Sequence, residues 1–420
     1  MRGEASRMNE EKREENIQSS KDEVFLPKLD KKDLILSLAV VLLCGCILSG
    51  FIPSSFVGFA GIILFAYALI AIKNVAAIIQ IFLAAIIVST LTFLPIAGVA
   101  VLALVLGTGT LSWLFMTLPK YKWAPVCLLL VAYGLGFVIT SNPITPLLAL
   151  AFLPAAALMA WAHARDIGRT ATVLHALLGF IVAVLATLCI ALWQAYGSVN
   201  YNTLIRFIDD LKNAVVSTGL WAGEQVWQYL ESTSKQSAVS QESLEQFRVT
   251  FEKVFNESSL RATADMIVSL IPAIIIAPAL ILTYLSNMVL LRKYYNTEWR
   301  LRMTPAACSL TIGPAAGLVY FISFVIVMFV SKQSLFLMAT YNMFIILLPG
   351  MCLTGINAFL QNARRAKGPR GMISILFLVA AICCIGLSSF CFIALFGAYV
   401  TITVSLHQKI LQKMKDNNGK

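Results

Sequence analysis

Apolar runs of about 20 residues, repeated from Leu34 to Val404, constrain this chain more than any other feature. A hydrocarbon slab roughly 30 Å thick takes about 20 apolar residues to cross as a helix, so each run is long enough for one passage. With 59% apolar and 13% charged residues, the chain also departs from soluble composition. The expected fold class is all-α, a polytopic transmembrane helix bundle of about 11–12 spans with a helical extracytoplasmic loop.

The runs place spans near 34–52, 57–72, 75–94, 97–118, 124–140, 144–162, 172–196, 266–291, 306–330 and 337–360, followed by a longer run over 372–404. That last run is too long for one untilted span, and Gly386-Leu387-Ser388-Ser389 offers a place to divide it. The net charge of +11 is no nucleic-acid face, because the bases gather in short connections and tails. Lys73, Lys120 with Lys122, Arg165 with Arg169, Arg292 to Arg302 and Arg364 to Arg370 fall on alternate connections. By the positive-inside rule these are cytoplasmic, and the N terminus with them, in a bacterial cytoplasmic membrane. No Asp, Glu, Lys or Arg is expected inside a span.

The divisions that follow are a disordered tail over 1–33, a seven-span bundle over 34–196, an extracytoplasmic segment over 197–265, a second bundle over 266–404 and a basic tail over 405–420. The 197–265 segment holds 6 bases and 9 acids and reads as helical. Leu204, Ile208, Leu211 and Val215 form one apolar stripe, and Leu244, Phe247, Phe251, Val254 and Phe255 another. Ser240 with Glu242 suits a helix start. Such helices either lie on the outer leaflet with Trp221, Trp227 and Tyr229 at the interface, or pack on each other.

No catalytic residue, metal site or cofactor is expected. GxxxxGK[ST], HExxH and GxSxG are absent from plausible sites, and the nine cysteines lie in apolar runs without CxxC spacing. His163 and His175 flank one cytoplasmic connection and His407 lies in the tail, away from membrane depth. The neutral amides Gln80, Gln194, Asn287, Asn342 and Asn357 need partners in hydrocarbon, either helix neighbours or a ligand. Asn287, Asn342 and Asn357 are the candidate ligand-binding residues. Breaks at Pro95 to Gly98, Asn142-Pro143, Pro272, Pro278, Gly313-Pro314 and Pro349-Gly350 either open helices around a cavity or only kink them. Arg300, Arg302, Arg364 and Arg365 are candidates for binding anionic lipid or an acidic protein partner.

From Ile267 onward, Leu270-Ile271-Pro272-Ala273, the span ending at Asn287, Trp299-Arg300-Leu301, Asn342 and Gly355 follow one another in an order that resembles the YybS-like family of bacterial multipass membrane proteins of unknown function. The chain departs from that pattern at Pro305, which comes later than usual after Trp-Arg-Leu, and at Gly397-Ala398-Tyr399-Val400, which lacks the usual acid. Such proteins are distantly similar to the S components of energy-coupling factor transporters. The resemblance implies a small-molecule cavity and an ATPase module as partner subunit. The leading expectation is a small-molecule-binding or transport subunit. A membrane scaffold without substrate is the second, and a lipid-handling enzyme using His163, Arg165 and Asp166 the third.

Overall fold

The computed structural model describes residues 31–72, 75–92, 94–118, 120–165, 167–234, 241–294, 312–330, 334–365 and 388–418. Among them the only regular structure is helical. Helices α1 (Lys31–Leu48), α2 (Ser54–Ile72), α3 (Val75–Thr92), α4 (Pro95–Thr117) and α5 (Trp123–Thr140) are followed by a short α6 (Ile144–Leu147) and a single 3-10 turn. Helices α7 (Leu153–Ala164) and α8 (Arg169–Tyr196) complete the first bundle. Next come α9 (Tyr201–Ser234), α10 (Gln241–Val254) and α11 (Glu257–Ser269). The chain then re-enters the bundle as α12 (Ile271–Tyr294), α13 (Pro314–Phe329), α14 (Leu335–Arg365) and α15 (Ser388–Asn418).

Among the described residues, seven helices are long and apolar enough to cross a membrane, and Ala77–Thr90, Pro314–Phe329 and Phe390–Val404 are shorter apolar helices. The outer surface agrees with lipid. Phe56, Phe59, Ile62 and Ile63 on α2 and Val138 and Ile139 on α5 are exposed together, an apolar perimeter that water does not tolerate at this extent. The protein is thus an all-α, polytopic, membrane-embedded bundle. The expected division of 372–404 falls largely outside the described residues, and α15 starts at Ser388.

Helix α4 is the axis. Its span is 72% buried, against 22% for α5 on the perimeter. Pro95 opens α4 at a first-turn position where no amide is needed, and small residues along it admit neighbours closely. A Cβ added at Gly109 would stand 2.6 Å from Val289 Cβ and 2.7 Å from the Ser286 carbonyl of α12. Gly107 faces Cys44 of α1 and Phe152, Gly98 faces the end of α3, and Ser112 Oγ donates to the Ala156 carbonyl of α7.

These contacts fix direction. The start of α1 and the ends of α2, α4, α7 and α12 lie at one end of the bundle, while Gly50 meets Thr140 and Thr145 at the other. Lys31, Lys32, Lys120, Lys122, Arg165, Arg169 and Arg292 gather at the first, basic end, as alternating passages require.

At the opposite end, Gly197 in a left-handed conformation ends α8, and α9 to α11 form a hairpin that packs on itself. Gly219 and Gly223 let α9 approach Leu260 and Phe255, and Trp227, Phe251 and Phe255 stack in sequence. Asn256 caps α11 by accepting from the Ser259 amide at 2.7 Å. α10 starts at Gln241, next to the expected Ser240, which lies outside the described residues. Lys212 and Asp265 tie α9 to α11 at 2.7 Å. Because Asp265 accepts its hydrogen bond, the Lys212 ammonium is held above the ordinary lysine range. A raised lysine contributes at neutral pH and loses its contribution as pH climbs through the folded value. Exposed pairs contribute little, so Asp265→Asn should melt close to wild type at pH 7, and the small difference should begin to close only above roughly pH 10.4, the unfolded value, and vanish beyond the higher folded one. Differential scanning fluorimetry across that range checks this.

Candidate functional site

The bundle interior at the basic end is polar. Helix α12 does not stop at Leu291 but continues to Tyr294, which carries Lys293 into the helix. Ser286, Val289 and Lys293 are separated by three and four residues and so share one face, the one laid against Gly109 of α4. Side chains lean toward the N terminus of their helix, and for α12 that direction is into the bundle. The expectation that no charge sits inside a span is corrected here: Lys293 belongs to the span Ile271–Lys293 and not to the loop cluster with Arg300 and Arg302.

The Lys293 ammonium donates to Ser37 Oγ of α1 and, at 2.6 Å, to Tyr67 Oη of α2. It stands 4.3 Å from the centre of the Trp113 indole of α4 and 5.0 Å from that of the Tyr67 ring. Tyr67 Oη shares a 3.0 Å hydrogen bond with Thr110 Oγ1, and Ser37 Oγ donates on to the Asp33 carbonyl. Ser37, Tyr67, Thr110 and Trp113 are buried. Thus three helices supply neutral dipoles and a π face to one cation carried by a fourth. Among the described residues no carboxylate forms an ion pair with Lys293; the Asp33 carboxylate attracts it from farther off.

Two further polar atoms in the bundle are buried without a hydrogen-bond partner among the described residues, Thr108 Oγ1 of α4 and Asn287 Oδ1 of α12. Arg169 Nη1, at the first residue of α8, is a third. Asn287 is 5% exposed and retains an unused acceptor. Asn342 does not: its Oδ1 accepts from the Ala273 amide at 3.1 Å, and its Nδ2 donates to the carbonyls of Ser269 and Met338 at 2.8 and 3.0 Å. Ser269 carbonyl and Ala273 amide are the pair that a continuous helix would join directly. At the α11–α12 break, beside Pro272, the Asn342 amide is inserted between them. Asn342→Leu is expected to cost about 2 kcal/mol, since both backbone groups lose their partner. Unfolding in sodium dodecyl sulfate measures it, and an unchanged midpoint would mean that the break reseals itself.

The candidates do not form one cluster. Asn357 is half-buried on α14, two residues beyond Gly355, which packs against Ile393. Gln80 and Gln194 are exposed on the perimeter. Arg364 and Arg365 fall in the last turn of α14, and Arg300 and Arg302 lie outside the described residues. Around the connection between α7 and α8 Arg165 stacks on Trp161 at 4.4 Å, His175 Nδ1 is 2.7 Å from the Ala171 carbonyl, and Asp166 is outside the described residues. Pro278 and Pro349 lie within continuous helices. Two open cavities of about 320 and 400 Å³ belong to the hairpin, lined by Trp227, Arg248 and Phe251 in one and by Asp209, Lys212 and Arg261 in the other.

Sequence reasoning missed Lys293, Tyr67, Ser37 and Trp113. The signal was the helical phase of Lys293 with Ser286 and Val289, together with the small and hydroxylic run Gly107-Thr108-Gly109-Thr110-Leu111-Ser112. What fold and site define is a polytopic membrane protein with a cation enclosed near one end of its helix bundle. No family, no curated protein and no solved structure matches the chain.

Proposed function

We propose that this chain is a multipass subunit of the bacterial cytoplasmic membrane that binds or transports a small molecule without itself catalysing a reaction, with its basic end toward the cytoplasm. The observation that carries the reading is Lys293, whose ammonium is withdrawn from the loop and enclosed by Ser37, Tyr67 and Trp113. An ionised side chain at such a place is costly to keep, and ionisable groups inside helical membrane proteins mark substrate and ion pathways. The orphaned acceptor of Asn287 and the hydroxyl of Thr108 extend the polar interior.

The order of residues from Ile267 onward that resembles YybS-like proteins would imply a subunit role, with an ATPase module as one partner class. Arg300, Arg302, Arg364 and Arg365 would meet that partner or anionic lipid. A partner-binding scaffold is the second reading, favoured by the aromatic groove of the hairpin, where Trp227 and Phe251 remain accessible beside Arg248. Native mass spectrometry of the gently solubilised full chain separates them. A co-purifying metabolite or lipid that leaves when Lys293 is changed to Gln supports the binding subunit. A protein partner with no small molecule supports the scaffold instead.

A further inference from the structure

The ligand of this interior can be assigned a charge. A cation out of water is ordinarily matched by a full opposite charge, because neutral dipoles recover only part of the lost hydration. Lys293 is met by the Ser37 and Tyr67 hydroxyls and the Trp113 π face; among the described residues its nearest recorded opposite charge is the exposed Asp33 carboxylate, which attracts it without forming an ion pair. The hydroxyls are amphoteric: each now accepts from the ammonium, and each can turn its own proton toward an oxyanion. Independently, Arg169 Nη1 at the same end of the bundle is buried with its hydrogen-bonding capacity unused. The charge at this end of the bundle has the matching sign. Lys31, Lys32, Lys120, Lys122, Arg165 and Arg292 stand at the helix ends there, against Asp33 as the acid among the described residues. A field of that sign concentrates anions at that end.

We infer that Lys293, with the hydroxyls of Tyr67 and Ser37, receives a single oxyanion group of the bound molecule, a carboxylate or phosphate carrying one negative charge. One enclosed ammonium matches one charge, so a polyanion such as a nucleoside triphosphate is a poor fit. This rests on the reading of the chain as a small-molecule-binding subunit and names the chemical class that the subunit takes. The anion belongs either to a phosphodiester lipid headgroup or to a free solute.

The full chain in phosphatidylcholine nanodiscs is titrated with phosphatidylglycerol, inorganic phosphate or acetate, and its thermal unfolding followed. Stabilisation of wild type by the lipid alone identifies a headgroup, and stabilisation by phosphate or acetate identifies a free anion. Lys293→Gln keeps a donor toward Tyr67 and drops the charge; Lys293→Met drops both and supplies a second variant should the first fail to fold. Each is expected to need about tenfold more of the active anion, whereas exposed Lys122→Met responds as wild type does. Equal responses of wild type and both Lys293 variants, or no response of wild type to any of the three anions, overturn the inference. An uncharged metabolite retained alike by wild type and Lys293→Gln in native mass spectrometry also overturns it, and leaves the binding-subunit reading standing. The absence of any bound small molecule removes both.

Discussion

Gly109→Leu is expected to lower the unfolding free energy of the solubilised protein by about 3 kcal/mol, at the upper end of what overpacking costs. The obstacle is rigid. At this position even a Cβ would come within 2.6 Å of Val289 Cβ and 2.7 Å of the Ser286 carbonyl, so relief needs the α12 backbone itself to move. Moving α12 away from α4 also withdraws Lys293 from Trp113, so the anion binding proposed for Lys293 should fall together with stability. Gly134→Leu on α5 is the control, since its Cβ would meet open space. Unfolding in sodium dodecyl sulfate followed by tryptophan fluorescence compares the two, and equal midpoints would show that α4 and α12 are not in close contact.

Tyr67→Phe is expected to cost about 2 kcal/mol, within the range for hydrogen bonds to charged groups. The ring and its packing survive, but the ammonium of Lys293 loses an acceptor at 2.6 Å and Thr110 loses its partner. Removing the charge then removes most of the penalty. The double variant Tyr67→Phe with Lys293→Met should therefore be more stable than Tyr67→Phe alone, a strongly non-additive cycle. Replacing buried charge by apolar bulk is often neutral or stabilising, whereas stripping one partner from a buried charge is not. Additive losses in the cycle would place the lysine in water instead.

The bundle itself was legible because hydropathy and span length are properties of a run and survive any detail of packing. The helical hairpin was legible in part: Ile208, Leu211 and Val215 are half-buried on α9 and Phe251 and Phe255 stack, whereas Leu204, Phe247 and Val254 of the same expected stripes are exposed. Which of the two expected placements the hairpin takes was not legible, since a stripe of this kind fits a lipid surface and a neighbouring helix equally well. Asn342 was legible as an amide in need of partners. That its partners are the two halves of one broken backbone pair depends on α14 crossing the α11–α12 junction, a contact between residues 69 positions apart.

Lys293 escaped for a reason particular to helix ends. Counting charges by connection assigns Arg292 and Lys293 together, yet consecutive residues point about 100° apart around a helix. Here the two differ in what they face, and Lys293 faces α4. Charge near a predicted boundary has to be sorted by helical phase and not by segment. The backbone carbonyls that Gly109 and Gly98 admit are likewise invisible to hydropathy, because a glycine scores the same whether a neighbouring backbone touches it or not.

The most direct test of the enclosed cation is amine labelling. The intact protein in nanodiscs is treated with a water-soluble acylating reagent and digested, and the modification of each lysine is read by mass spectrometry. Lys120 and Lys122, exposed at the same end, should be modified readily, and Lys293 only after denaturation. Modification of Lys293 in the native protein at the pace of Lys122 would return it to the loop and contradict the account.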